Sequence, residues 1–173
     1  MKIIRYQKDD KIKNGILKDQ KIFELEGDLF SDFSAGKEAA VLEEVKLLAP
    51  VEVPNIIAIG LNYRQHAVET GADIPERPVI FLKSTSSLTD PDSEIILPKL
   101  APDEVDFEAE LAVVIAKKAK NIETVEVDDY ILGYTCANDV SARDCQKKLD
   151  KQWARGKSFD TFCPLGQIGR AHV

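Results

Sequence analysis

The sequence predicts a mostly β fold with a few helices (α+β), in which a small N-terminal β-rich domain precedes a larger domain. The first observation behind this prediction is that short apolar segments bounded by Gly, Pro and Asp outnumber the segments with helical periodicity. The second is the composition: of 173 residues, 44% are hydrophobic and 31% are charged, as in globular proteins. A chain of this length corresponds to roughly one domain, or to one domain and a fragment.

The first 49 residues (1–49) are expected to form the small N-terminal domain. Short strands separated by Gly and Asp turns are predicted in three places: Lys2–Tyr6, Gly15–Leu17 and Lys21–Leu25. A helix is predicted at Lys37–Val45. The prolines of Ala49–Pro54 bias the residues before them away from helical conformation, so we place the domain boundary near Pro50.

The second domain (50–166) is expected to contain more strands than helices. Its predicted strands are Asn55–Leu61, Val79–Lys83, Glu94–Leu97, Asp106–Ala116 and Tyr130–Asn138. A short helix is predicted at Tyr63–Thr70. The clearest helix is predicted at Ser141–Trp153, because Ser141 and Asp144 form an S-x-x-D capping signature and apolar residues then recur four apart.

Composition and charge favour small-molecule chemistry. Lys and Arg number 23 against 30 Asp and Glu, and the resulting net charge of -7 works against a nucleic acid or an anionic membrane as the main partner. No apolar run approaches the roughly 18 residues of a membrane-spanning helix, and the charged N-terminus does not resemble a signal peptide. The three cysteines lack CxxC spacing, which is typical of a reducing compartment. We therefore expect a cytoplasmic protein that binds a small molecule, with no nucleic-acid or membrane partner.

The segment Asp106–Ile115 carries the strongest chemical signal. Successive side chains of a strand point to opposite faces, so Asp106, Glu108 and Glu110 share one face, and Asp139 follows the next apolar strand. Like charges this close favour a bound cation, and carboxylates without a thiolate or imidazole cluster select Mg²⁺, Mn²⁺ or Ca²⁺ over Zn²⁺. The alternatives are a solvated acidic sheet edge and, for Asp139, a helix cap.

Five further residues are candidates for the chemistry. His66 and Glu69 are three apart on the predicted short helix, so the carboxylate could orient the imidazole as a general base; a surface pair is the alternative. Arg143 and Gln146 have the same spacing just after the acidic strand end and could hold a substrate carboxylate or enolate, or else form a solvated face. Lys157 is a candidate cation for developing negative charge.

Several separate motifs stand in a specific order along the chain. They are Gly60–Tyr63 with His66, Ala67 and Glu69; Phe81–Lys83; Asp106–Leu111; Gly133–Thr135; Asn138–Asp144; Gln152–Trp153; Lys157–Asp160; and Pro164–Gly166. In this order and spacing they resemble the fumarylacetoacetate hydrolase family over residues 1–166. The resemblance implies a rolled, barrel-like mixed sheet, incomplete in this chain, and a homodimer for the full-length protein.

The resemblance also implies roles for the residues singled out above. It implies metal ligands at Glu108, Glu110 and Asp139, a water-activating dyad of His66 and Glu69 on a mobile lid, a catalytic Lys157, and substrate contacts at Arg143 and Gln146. The metal would be Mg²⁺ or Mn²⁺, with Ca²⁺ as an alternative.

The implied activity is hydrolysis of a C–C bond in acylpyruvate or β-diketo acid substrates through a metal-stabilised enolate. Two alternatives stay open because the same metal and dyad could serve each. One is isomerisation or hydration of 2-hydroxyhepta-2,4-diene-1,7-dioate in aromatic catabolism, and the other is oxaloacetate-type decarboxylation. An alternative of another class is an inactive, incompletely folded fragment.

The resemblance ends after Pro164–Gly166. Gln167 stands where the family usually has proline, family members continue through further strands, and residues 168–173 look like a translated sequencing adapter. We therefore expect a C-terminally truncated chain in which residues 167–173 are not native, and His172 is left out of the site.

Overall fold

The computed structural model describes residues 1–169, and it is mostly β, as predicted. The N-terminal strands are β1 (Lys2–Lys8), β2 (Lys11–Lys18), β3 (Lys21–Gly27), β4 (Phe33–Val41) and β5 (Lys46–Leu48). The later strands are β6 (Ile56–Gly60), β7 (Val79–Lys83), β8 (Leu88–Thr89), β9 (Val105–Asp106), β10 (Ala109–Ile115), β11 (Ile131–Asn138), β12 (Ser141–Ala142), β13 (Cys163–Pro164) and β14 (Ile168–Gly169).

Helical segments are short. They are α1 (Arg64–Thr70), α2 (Trp153–Lys157), a π-helix at Asp144–Leu149, and 3₁₀ turns at Leu42–Glu44, Thr85–Ser87 and Thr124–Tyr130. Across residues 1–169, no helix is long and apolar enough to cross a membrane.

One antiparallel sheet organises the molecule. Its strand order is β10-β11-β14-β1-β2-β3-β4, and β5 also pairs with β1. Within the described part of the chain this sheet stays open and does not close into a barrel. Three two-stranded sheets accompany it, namely antiparallel β6–β7, antiparallel β9–β12 and parallel β8–β13. The sheet includes strands from both sides of Pro50, and the division into two domains there remains a prediction.

The strand β14 lies in the middle of this sheet. Ile168 pairs with Ile3 of β1, Gly169 pairs with Tyr134 of β11, and the Ile168 side chain is fully buried in an apolar cluster. Ile168, within the expected non-native tail, thus packs into the core. Residues 170–173, with His172, lie outside the described residues, and the prediction of a non-native tail stays a prediction.

Two predicted elements of the chain are wrong. Lys37–Val45 is not a helix, because residues 37–41 pair with β3 and bury Ala40 against Ile22, and this tertiary pairing outweighs local helix propensity. Glu94–Leu97 is not a strand: the Ile96 N–H bonds to Thr161 Oγ1 at 2.9 Å instead of a neighbouring strand.

The predicted helix Ser141–Trp153 is divided into three pieces. Its first two residues form β12 and pair with β9, so Ser141 does not cap a helix; its hydroxyl donates to the Asp139 carbonyl oxygen at 2.9 Å. The π-helix follows, and α2 begins only at Trp153. Between them Lys151 has a φ of 51°, a left-handed conformation that interrupts the helix.

Candidate functional site

A cavity of about 750 Å³ lies where β6, α1, β7, β10, the π-helix and α2 approach one another. Seven of the eight site residues predicted from the sequence line it: His66, Glu108, Glu110, Asp139, Arg143, Gln146 and Lys157. Glu69 is exposed and does not line the cavity. Residues that are up to 91 positions apart in sequence, His66 to Lys157, therefore meet at one place.

A break in two paired strands places Glu108 and Asp139. β10 pairs with β11 and β9 pairs with β12, whereas residues 107–108 and 139–140 between them leave the regular ladder. The Asp139 N–H donates to the Glu108 carbonyl oxygen at 2.9 Å, and the Glu108 N–H donates to Asn138 Oδ1 at 3.1 Å. The backbone polar groups at the break are thereby satisfied while both carboxylates line the cavity.

Two lysines hold the buried carboxylate of Asp139. Lys83 Nζ donates to Oδ1 at 2.5 Å, and Lys157 Nζ donates to Oδ2 at 2.6 Å. Lys83 also donates to the carbonyl oxygen of Phe162 at 3.0 Å, and its side chain is 2% exposed. Burial lowers the pKa of Lys83, and the neighbouring Asp139 charge opposes that shift. A buried carboxylate with an amine on each oxygen is fixed in orientation.

Glu108 is held by two cations as well. Its Oε2 accepts from Lys157 at 2.8 Å, and its Oε1 accepts from Arg143 at 2.6 Å. Arg143 also donates to Asp106 Oδ2 at 2.8 Å and to Gln146 Oε1 at 2.9 Å. Burial would raise the pKa of Glu108, but the hydrogen bonds from Lys157 and Arg143 outweigh it and hold that pKa below its ordinary value. Glu108 therefore stays ionised at neutral pH.

Glu110 differs from the other carboxylates. Burial raises its pKa, a hydrogen bond from Tyr63 partly opposes this, and the negative charges of Glu108 and Asp139 raise the pKa further. Tyr63 also accepts the Leu111 N–H at 3.3 Å, which ties the start of α1 to β10. Glu110 is thus the carboxylate of this cluster that lacks a strong cationic partner.

The helix α1 carries the predicted dyad. It begins after Tyr63 and ends at Gly71, whose φ of 65° is the left-handed conformation that glycine adopts easily. Ala67 on its inner side is fully buried, whereas His66 and Glu69 are exposed. His66 lines the cavity and Glu69 does not, so the structure brings only the imidazole of this pair to the carboxylates.

The opposite wall of the cavity is aromatic. Phe81 and Trp153 meet edge to face with ring centroids 5.7 Å apart, and Lys157 Nζ lies 5.4 Å from the Phe81 centroid. A Cβ at Gly60 would lie 1.9 Å from the Trp153 ring, so only glycine admits this packing.

The donor set of the cavity fits a hard divalent cation in chemistry. Glu108, Glu110 and Asp139 offer carboxylate oxygens, and the negative charges of Glu108 and Asp139 act on Glu110. No cysteine is among the described lining residues. As the side chains are placed, no group of three His, Cys, Asp or Glu within residues 1–169 stands close enough to hold a metal ion. The metal site itself therefore belongs to the proposals below.

Sequence reasoning missed Lys83 and Ser141 as members of the site. Lys83 ends an apolar strand, and it shares a face with Val79 and Phe81, so a charged residue at an inward position was the available signal. Ser141 was interpreted as a helix cap, yet its hydroxyl accepts from Lys157 Nζ at 2.7 Å. No local pattern identifies that contact, because it depends on the strand β12.

Comparisons with known proteins place these features in a family. Residues 55–172 match the family model described as fumarylacetoacetate (FAA) hydrolase C-terminal, and residues 1–50 match the model described as Rv2993c-like, N-terminal. An uncharacterized protein of Archaeoglobus fulgidus is 50% identical over 144 residues, which are 83% of this chain and 56% of that protein. The mitochondrial oxaloacetate tautomerase Fahd2a of Rattus norvegicus is 51% identical over 124 residues, 71% of this chain and 39% of that protein.

Solved structures agree with this fold. The 5-carboxymethyl-2-hydroxymuconate delta-isomerase of Mycobacterium smegmatis superposes with a TM-score of 0.87 at 37% identity, covering 100% of this chain and 68% of that one. The maleylpyruvate hydrolase of Sphingobium sp. SYK-6, solved with manganese(II) and pyruvate, superposes with a TM-score of 0.74 at 25% identity, covering 99% and 67%. The chain spans about half the length of the curated relatives it matches. Since the family model covers well over half of the chain and the predicted motifs meet in one cavity, the chain belongs to the fumarylacetoacetate hydrolase family.

Proposed function

We propose that the complete protein is a divalent-metal-dependent hydrolase that cleaves a C–C bond in acylpyruvate or β-diketo acid substrates. The observation that carries the proposal is the convergence of three carboxylates, a histidine and a lysine on one cavity beside an aromatic wall. The homodimeric state and the cytoplasmic location expected from the sequence are part of the same proposal, as is the role of α1 as a mobile lid.

The metal would be held by Glu108, Glu110 and Asp139. Lys83 donates to Oδ1 of Asp139 and Lys157 donates to Oδ2, so we infer that Asp139 would become a ligand when Lys157 turns to the substrate. Mg²⁺ or Mn²⁺, with Ca²⁺ as an alternative, would supply positive charge that favours the enolate form of a 2-oxo acid. The manganese in the maleylpyruvate hydrolase structure supports this choice of ion.

The residues of this chain supply the proton chemistry. His66 would take a proton from water, with Glu69 orienting the imidazole, and the hydroxide adds to the acyl carbonyl carbon of the substrate. The C–C bond then breaks and its electron pair goes to the departing enolate, which takes up the proton held by His66 to give pyruvate. The other product is a carboxylic acid. Lys157, now bound to Glu108 and Asp139, would stabilise the enolate oxygen, and Gln146 and Arg143 would hold the substrate carboxylate.

A second candidate is a keto–enol tautomerase or isomerase of 2-oxo dicarboxylates. It is favoured by the relatives, since the 51% identical rat protein is an oxaloacetate tautomerase. It is also favoured by the exposed position of Glu69 outside the cavity, because tautomerisation moves a proton without activating water. Both candidates need the metal site, but only the hydrolase needs the dyad of His66 and Glu69.

Metal binding by the full chain tests what both candidates share. Titration with Mn²⁺, followed by calorimetry or by the loss of the free-ion magnetic resonance signal, should give one site per chain. Glu108→Gln, Glu110→Gln and Asp139→Asn should each abolish binding, because each removes one of few anionic ligands. Glu104→Gln is the matched control, since Glu104 pairs with Lys148 and does not line the cavity. Unchanged Mn²⁺ affinity in all three variants would show that these carboxylates do not bind the metal.

Assays of the Mn²⁺-loaded chain separate the two candidates. Release of pyruvate and acetate from acetylpyruvate supports the hydrolase. Exchange between the enol and keto forms of oxaloacetate without cleavage of acetylpyruvate supports the tautomerase.

A further inference from the structure

Tyr63 joins two parts of the cavity wall that are far apart in the sequence. Its side chain lines the cavity, and the residue immediately precedes α1. Its phenol oxygen accepts the Leu111 N–H at 3.3 Å, and its hydroxyl is hydrogen-bonded to the Glu110 carboxylate. A phenol can donate one hydrogen bond while it accepts another. One hydroxyl therefore connects the start of α1 to both the backbone of β10 and a carboxylate that β10 carries.

The backbone of Tyr63 also forms the first turn of α1. Its carbonyl oxygen accepts the Ala67 N–H at 3.2 Å. His66 lies in that same turn and lines the cavity. A movement of Tyr63 relative to β10 would therefore also move His66 relative to the carboxylates.

The chain on both sides of α1 has left-handed backbone conformation. Gly71, after the helix, has a φ of 65°, and Leu61, before it, has a φ of 50°. Glycine adopts this conformation easily, whereas a leucine is strained in it and needs surrounding contacts to hold it there. On one side of Leu61, Gly60 packs against the Trp153 ring. On the other side, the tie to β10 is the hydroxyl of Tyr63.

Hydrogen bonds, more than burial, determine where the Tyr63 ring lies. The side chain is 44% exposed, so its surroundings alone do not fix it. Glu110 depends on the same contact. Lys157 and Arg143 donate to Glu108, whereas Glu110 is hydrogen-bonded by the phenol. The orientation of Glu110 and the position of the α1 entry are therefore set by one group.

We propose that Tyr63 is a positioning residue that couples the orientation of Glu110 to the position of α1. The inference rests on the proposed function, in which Glu110 is a metal ligand. Tyr63 itself would bind neither the metal nor the reacting atoms. A coupling between two sites is reciprocal. If a well-placed α1 orients the ligand for the metal, then binding of the metal must in turn stabilise α1.

Two measurements on the full chain test this coupling, namely Mn²⁺ affinity by calorimetry and amide hydrogen exchange of residues 64–70. In the wild type, saturating Mn²⁺ should slow exchange in α1. Tyr63→Phe keeps the ring and removes the hydroxyl. It should lower Mn²⁺ affinity about tenfold, as expected when a metal ligand loses an outer hydrogen bond, and it should abolish the slowing at saturating Mn²⁺. Tyr130→Phe is the matched control, because Tyr130 does not line the cavity and the variant keeps its ring beside Lys117.

The other outcomes separate this inference from the proposed function. If the wild type binds Mn²⁺ and α1 exchanges equally fast with and without the ion, the inference is overturned, and this result needs no variant. The inference is also overturned if Tyr63→Phe keeps the wild-type affinity or keeps the slowing. A purely structural tie would give that result, with faster exchange in α1 by the same factor in both conditions. In each of these cases the proposed function is unaffected. If the wild type binds no Mn²⁺, the proposed function fails together with the inference.

Discussion

At the scale of single residues, Asp139 connects the two halves of the site. Its Oδ1 is held by Lys83 and its Oδ2 by Lys157, and its backbone N–H is bonded to Glu108. Burying a carboxylate is costly unless it is paired, and the two lysines pair both oxygens of Asp139. The orientation of Asp139 therefore depends on a residue, Lys83, that does not line the cavity.

Replacing Lys83 by methionine should destabilise the protein strongly. The variant keeps the apolar stem but leaves Asp139 Oδ1 without its amine, and breaking a buried pair costs about 3 kcal/mol. Urea unfolding of the full chain measures the loss. Lys46→Met is the control, because Lys46 pairs with Asp90 at the surface and should change the free energy of unfolding by under about 0.5 kcal/mol. Equal effects in both variants would mean that the Lys83 pair contributes nothing to stability.

Replacing Glu110 by glutamine should stabilise the protein in the absence of divalent metal. The pKa of Glu110 in the folded state is raised above 4.5, first by burial and then by Glu108 and Asp139. Stability is therefore lost as the pH rises through the raised pKa, and the glutamine variant avoids this loss. The difference in melting temperature between Glu110→Gln and the wild type should appear above that pKa and vanish at lower pH.

Saturating Mg²⁺ should reverse the order of the two melting temperatures, because the wild type binds the ion and gains stability by mass action, whereas Glu110→Gln does not. If Glu110→Gln melts below the wild type at every pH in the presence of chelator, the charge of Glu110 does not destabilise the metal-free protein.

The residues of the site were largely predictable because their types are chemically unusual where they stand. The period of two in the sequence singles out Glu108 and Glu110, although the predicted strand Asp106–Ala116 is interrupted at residues 107–108, so Glu108 lies at the break between β9 and β10. The pairing of Glu108 with Arg143 and Lys157 was not visible, because it joins residues 35 and 49 positions apart. Such contacts follow from the tertiary fold and leave no local periodicity.

At the scale of elements, α1 is a short helix with one fully buried side chain. It is seven residues long, and isolated helices of this length are marginal in water. Its buried contact is made by Ala67, while Val68 is 71% exposed. These features suit a segment that changes position during a catalytic cycle.

The dyad on α1 gives a prediction about activity. Glu69→Gln should leave Mn²⁺ bound but slow acetylpyruvate hydrolysis by roughly 10² to 10⁴, the usual share of general base catalysis. His66→Ala should do at least as much, and the double variant should be little worse than either single one, because residues that act as a unit are not additive. Gln65→Ala, on the same helix but outside the cavity, is the control. If His66→Ala hydrolyses acetylpyruvate at the wild-type rate, His66 is a surface histidine without a catalytic role.

Elements were predictable where hydrophobic periodicity and tertiary pairing agree. The strands β6, β7 and β11 match their predicted positions closely, since each is a short apolar run bounded by turn residues. The segment after Asp139 was not predictable, because Ser141 satisfies a capping pattern and yet pairs with β9. Local signals cannot choose between a helix cap and a two-residue strand when the choice is made by a partner 35 residues away.

At the scale of the whole molecule, exposed apolar side chains recur on two elements, the strand β10 and the β6–β7 hairpin. β10 is the edge strand of the main sheet within the described residues, and its outward side chains Leu111, Val113 and Ile115 are all exposed. The β6–β7 hairpin adds Ile57, Ile80 and Leu82. An edge strand with exposed apolar residues is a template for association with another chain.

The full chain should therefore associate with itself at micromolar concentration, and the sheet edge should carry the contact. Leu111→Lys places a charge on the outward face of β10, and desolvating that charge in an interface would be costly, so the variant should shift sedimentation equilibrium toward the monomer. Val125→Lys is the matched control, because Val125 is 93% exposed on a 3₁₀ turn and does not belong to the edge strand. If both variants associate as the wild type does, the contact lies elsewhere; if the wild type is monomeric at every concentration, the exposed edge drives no association and the proposed homodimer loses its support in this chain.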